Sequence, residues 1–171
     1  MTAAIVDTGP LVAFFDRAEQ HHRWIAERIE ELDAPLLVCE PVLAEAMYLL
    51  ARYPRAQDAL FELLQNGALE IAFQIEEHVG ALRKLLQKYR DTPMSLADAC
   101  VVRMAEIHER HAILTLDSDF SVYRKHSRVP LTLVIRDVAG VTQEIEVDAE
   151  VRLHSPTYDH RHPHTHATKP G

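Results

Sequence analysis

Cysteine is scarce in this chain: Cys39 and Cys100 are the two thiols among 171 residues, far apart and without CxxC spacing. That excludes a disulfide framework and argues against metal ligands. Apolar neighbours make both read as reduced core thiols. Long hydrophobic runs are missing as well. None approaches the roughly 18 residues that a spanning helix needs, so no membrane segment is expected. The first residues lack the basic region of a secretory leader and carry an acid at position 7, which points to a cytoplasmic protein. An excess of positive charge is also lacking, since the net charge is −8. A protein that held nucleic acid through its overall field would be basic. What the chain does have is 47% hydrophobic content, ample for one packed core in a length too short for two ordinary domains. One domain with a tail is expected, and there is no internal repeat.

The most informative stretch is Ala3 to Phe15, AAIVDTGPLVAFF. A short apolar run ending at Asp7-Thr8-Gly9-Pro10 reads as a buried strand followed by a helix, with Thr8 suited to cap it and Pro10 to its first turn. Asp7 then sits at the carboxyl end of a strand, where open α/β sheets form their ligand crevice. The same residue would also serve as an ordinary helix cap. Residues 19–32 carry Trp24, Ile25, Ile29 and Leu32 at helical spacing, and Pro35 is expected to end that helix. Leu36-Leu37-Val38 reads as a second strand. Glu40-Pro41 opens a helix on which Glu45 borders the buried face, either as a site acid or as a surface glutamate at the stripe's edge.

A helix over 56–66, a strand over 69–73 and a helix through Val79, Leu82, Leu85, Leu86 and Tyr89 follow. The last bears Arg83, Lys84, Lys88 and Arg90, a face that could meet phosphate or simply be solvated. Ser95 suits the N-cap of the next helix, with Asp98 at its third position. A capping box accounts for Asp98, but small and apolar neighbours mark this turn as packed. A packed acid with no cation beside it in sequence needs a partner such as a metal. The run 112–116 is a strand delivering Asp117, followed by the turn residues Ser118 and Asp119. In a βα-alternating chain, parallel neighbours would bring Asp7 and Asp117 side by side. A last strand is expected over 131–135 and an edge ribbon within 141–153. From Ser155, proline, threonine and alternating histidines (His160, His162, His164, His166) read as a disordered tail.

In this order the blocks IVDTGPLVA, VLAEA, PMSLADA and LTLDSDF resemble PIN-domain ribonucleases, in particular the toxin half of bacterial VapBC-type toxin-antitoxin pairs. The resemblance covers Ile5 to about Ile135. It implies a three-layer α/β/α fold around a central, mainly parallel sheet of four or five strands over residues 1–136. An extension over 137–154 and the tail over 155–171 would follow. It also implies that Asp7, Glu45, Asp98 and Asp117 bind Mg²⁺ or Mn²⁺ and cut RNA, with Thr8 and Asp119 as helpers. Such carboxylates suit hard divalent cations. Implied partners are an RNA substrate, a cognate antitoxin and a second copy of the chain. The apolar residues Trp24, Ile25, Ile29, Val42, Met47 and Tyr48 either form the contact surface or are turned into the domain's own core.

Two other readings stay open. One is a catalytically silent PIN-fold module that only binds protein. The other is a phosphotransferase with Asp7 as nucleophile, against which Gly9 occupies the place of that chemistry's usual second acid. Residues 1–136 carry 20 acids and 15 bases. Without the four cluster acids the balance is near neutral. RNA binding would therefore rest on a local basic rim, for which Arg83, Lys84, Arg124, Lys125 and Arg128 are the expected residues.

Overall fold

The computed structural model describes residues 2–136 and 142–144. In chain order these form β1 (Thr2–Val6), α1 (Thr8–Phe15), α2 (His22–Glu30), β2 (Leu32–Val38), α3 (Glu40–Leu49), α4 (Pro54–Gln65), β3 (Leu69–Ile71), α5 (Ile75–Lys88), α6 (Leu96–Ile107) and β4 (Ala112–Thr115). A 3-10 turn over Ser118–Ser121, a two-residue ribbon of β5 (Arg124–Lys125) and β6 (Val129–Pro130), then β7 (Leu133–Arg136) and β8 (Thr142–Glu144) complete them. The main sheet runs β3-β2-β1-β4-β7-β8. Its first five strands are parallel and β8 is antiparallel at the edge.

The alternation of strand and helix dictates this layout, because parallel neighbours need helical crossovers. From β1 the chain steps outward through β2 to β3, then crosses back to β4 on the other side of β1. With right-handed crossovers, that reversal sends helices to both faces and opens the crevice between the carboxyl ends of β1 and β4. The two strands flanking the crevice are also the most deeply buried. Ala4, Ile5 and Val6 of β1 and Ile113 and Leu114 of β4 have no exposed surface, so the crevice is anchored in a fully buried part of the core.

Several expectations change on this frame. Pro35 does not end a helix. It lies inside β2, where the register against β1 slips between Ala3 and Ile5, and a bulge tolerates a residue with no N–H to give. Asp7, rather than Thr8, caps α1. The presumed contact surface is largely core: Ile25 and Val42 are fully buried, Trp24 is 9% exposed, and Ile29 and Met47 pack against the core, leaving Tyr48 outside at 80%. Amphipathic helices have turned their stripes inward as such stripes usually do. Cys39 and Cys100 are free and buried. Of the expected edge ribbon, β8 is seen. The remainder of 137–154 and the tail over 155–171 lie outside the described residues.

Candidate functional site

Four segments distant in sequence meet at the carboxyl end of the sheet. Asp7 follows β1, and the parallel register pairs Val6 with Leu114, so Asp7 stands level with Thr115. The consequence is a direct bond: the Thr115 hydroxyl donates to Asp7 Oδ2 at 2.8 Å. Asp7 Oδ1 accepts the Thr8 N–H at 2.7 Å. The cap and the site acid are therefore one residue, with one oxygen given to each neighbour. Thr115 also accepts the Asp117 N–H at 3.0 Å, which ties the acid of β1 to the acid after β4 through a single buried hydroxyl.

The Thr8 side chain turns away from its own helix and donates to Glu45 Oε2 at 2.9 Å. Although Glu45 lies on the exposed side of α3, this bond draws its carboxylate over the crevice. Asp98 is half-buried at the start of α6, and the expected capping box is complete: Asp98 N–H donates to Ser95 Oγ at 3.1 Å, and Ser95 N–H donates to Asp98 Oδ2 at 2.7 Å. Gly9 faces Leu116, just beyond β4, and a Cβ there would stand in ordinary van der Waals contact, 3.4 Å from that of Leu116.

Asp7, Thr8, Gly9, Glu45, Asp98, Leu116, Asp117 and Ser118 line one cavity of about 450 Å³. All four predicted acids and Thr8 are among them. Asp119 is not; its N–H donates to Asp117 Oδ1 at 2.8 Å, and Ser118 lines the cavity in its place. Thr115 went unnoticed in the sequence, where a threonine in an apolar strand looks like ordinary β-propensity. Its signal was the spacing, a hydroxyl two residues before an acid at a strand end. Of the expected basic rim, Lys125 is withdrawn. It is 6% exposed, with Nζ 3.3 Å from the Glu109 carbonyl, and burial holds its ammonium below the usual lysine range.

The electrostatics follow from crowding acids without a cation. Burial pushes the Asp7 carboxyl up to about 6; bonds from Thr115 and Thr8 oppose this, and the charges of Asp98 and Asp117 add to it. Asp98 is raised too, chiefly by burial, with Asp117 and Glu45 contributing against the bonds from Ser95. Among the described residues no lysine or arginine lines the cavity. Among the described residues no three acid, histidine or cysteine side chains already stand close enough to enclose an ion by themselves. An all-oxygen donor set that is short of positive charge and keeps room beside it fits a hard, partly hydrated cation, which takes only one or two carboxylates directly. A second cavity of about 370 Å³ along α5, lined by Ile75, Val79, Leu82 and Leu86 beside Arg83 and Arg90, has no acid.

A strand-end acid on each side of a topological switch point, facing acids from two helices, defines a class of protein, and sequence comparison agrees with it. The family model described as "PIN domain" matches residues 4–126, and the chain belongs to that family. Among curated proteins, Ribonuclease VapC26 of Mycobacterium tuberculosis is 35% identical over 115 residues, which cover 66% of this chain and 85% of that protein.

Proposed function

We propose that this chain is a metal-dependent endoribonuclease that hydrolyses RNA phosphodiester bonds as the toxin of a type II toxin-antitoxin pair. The observation that carries the reading is the convergence of Asp7, Glu45, Asp98 and Asp117 on one cavity that no lysine or arginine among the described residues lines. RNA as substrate is supported by the named activity of the VapC26 relative.

In this reading Asp7 and Asp98, fixed by a strand end and a helix start, bind Mg²⁺ or Mn²⁺ directly. Glu45 and Asp117 complete the site, Thr8 holds Glu45 in place, and Asp119 supports Asp117 through its backbone. A bound divalent ion supplies Lewis acidity toward the phosphodiester and makes water a stronger nucleophile. The chain's own part is to keep the four carboxylates apart yet convergent, Asp7 and Asp117 through Thr115, Glu45 through Thr8, and Asp98 through Ser95. The nuclease unit is residues 1–136, and 155–171 are dispensable for cleavage.

An antitoxin and a second copy of the chain are the proposed protein partners, acting in the cytoplasm. Support for a contact surface comes from Tyr48, Leu49, Tyr53 and Phe61, which are 80%, 54%, 47% and 54% exposed along α3, α4 and the turn between them. The test of the site is to replace Asp7, Glu45, Asp98 and Asp117 singly by their amides and measure RNA cleavage in Mn²⁺. Each variant is expected to stay folded by circular dichroism and to lose about a hundredfold or more in rate, the upper range for groups that orient a metal. Wild-type rates in folded Asp7→Asn and Asp98→Asn would overturn the assignment.

A further inference from the structure

Outside the acid site, α5 carries a pattern of its own. Ile75, Val79, Leu82 and Leu86 recur at alternating spacings of four and three, the spacing with which one helix packs along another. The inner side of α5 already has its partner, since Leu82, Leu85 and Tyr89 are buried in the domain's core. Among the described residues nothing covers the outer side. Val79 is 57% exposed and Leu96, at the start of α6, is 46% exposed. With Ile75, Leu82 and Leu86 they line the groove of about 370 Å³. Amphipathic helices normally turn such residues inward, so this stripe is suited to a further helix.

Charge indicates which helix. Glu76 and Arg83 are seven residues apart, which sets them in one row beside the apolar stripe. They stand roughly 10 Å apart along the axis, too far to pair with each other. Among the described residues neither has an ion-pair partner. Between them in that row lies Gly80, where an added Cβ would meet nothing within 4 Å. A glycine inside a helix weakens it, and here it leaves the row open to close approach. The helix is polarised as a whole, with Glu76 and Glu77 in its first turn and Arg83, Lys84 and Lys88 in its second half.

We propose that this face receives the same face of a second copy of the chain, the two α5 helices lying antiparallel about a two-fold axis near Gly80. In that arrangement Val79 of each copy packs over Leu82 of the other, Ile75 meets Leu86, and Glu76 faces Arg83. A parallel pair would instead set Glu76 beside Glu76 and Arg83 beside Arg83. The two-fold repeats every contact, and the exposed charges fix direction more than they add affinity. Leu96 borders the groove two residues before Asp98, so the seam runs beside the helix turn that carries Asp98 in each copy. The inference rests on the second copy proposed above and gives it a face apart from the corner of α3 and α4.

The experiment is light scattering of the full chain at micromolar concentrations as wild type, Val79→Glu, Val129→Glu, Glu76→Arg and Arg83→Glu, with a thermal melt of each. All four side chains are exposed, so each variant is expected to stay folded. The wild type is expected to run as a dimer. Val79→Glu should weaken pairing about tenfold or more, because it forces an unpaired carboxylate into the seam. Val129→Glu, on the equally exposed β6, should pair as the wild type does. Glu76→Arg and Arg83→Glu should each weaken pairing alone, and an equimolar mixture should pair again, because the two reversals complement each other across the seam. A dimer that Val79→Glu leaves intact would overturn the α5 face while the second copy stands as a partner. A mixture that pairs no better than either reversal alone would overturn the antiparallel order. A monomeric wild type would remove the second copy and the α5 face together.

Discussion

At the scale of single residues, the account turns on a buried acid that is costly when charged. Asp7 titrates near 6 in the folded protein, against 3.8 for an ordinary aspartate. The native state therefore holds its proton to a higher pH than the unfolded chain does. By linkage, the stability associated with that proton is fully present below about pH 4 and is lost as pH rises through 6, an effect on the order of 3 kcal/mol. In EDTA, the melting temperature of the wild type relative to Asp7→Asn should fall between pH 4 and pH 7, and Mn²⁺ should reduce the difference. A parallel pair of curves would show that Asp7 carries no such burden. Thr115 yields a second expectation. Thr115→Val keeps the shape but strands Asp7 Oδ2 and the Asp117 N–H, so thermal or urea unfolding should report a loss of about 1–3 kcal/mol, accompanied by slower RNA cleavage.

At the scale of elements, Asp7, Asp98 and Asp117 are delivered by a strand end or a helix start while Glu45 comes from within α3, and those end signals are what made most of the site legible in the sequence. Short apolar runs ending in Asp7 and Asp117 marked the strands, and Ser95 with Asp98 marked the start of α6, because those signals are local. What was not legible depended on pairing. The bulge that admits Pro35 into β2 exists only against β1, and the link from Thr115 to Asp7 exists only once Val6 is in register with Leu114. Likewise the stripe on α2 could not say by itself whether it faced the core or a partner, and the core took it. The cap of α6 can be tested alone. Ser95→Ala removes one of the two bonds of the capping box, should cost about 1 kcal/mol of stability in denaturant unfolding, and frees Asp98 to reorient. Mn²⁺ affinity should fall with it; unchanged affinity would mean that Asp98 is held by something other than the cap.

At the scale of the whole molecule, an acidic chain is proposed to act on an acidic polymer, and the four-carboxylate crevice is what reconciles the two. With a divalent ion bound, the acid-lined crevice becomes a place where a phosphodiester can approach, so charge balance and activity should be switched on together. The most direct measurement is the cleavage of end-labelled RNA by one wild-type preparation held in EDTA, in Mg²⁺ and in Mn²⁺. Cleavage is expected in either metal, none in EDTA, and recovery when Mn²⁺ is added back. Equal cleavage in EDTA, from a preparation whose activity copurifies with this chain, would contradict the account.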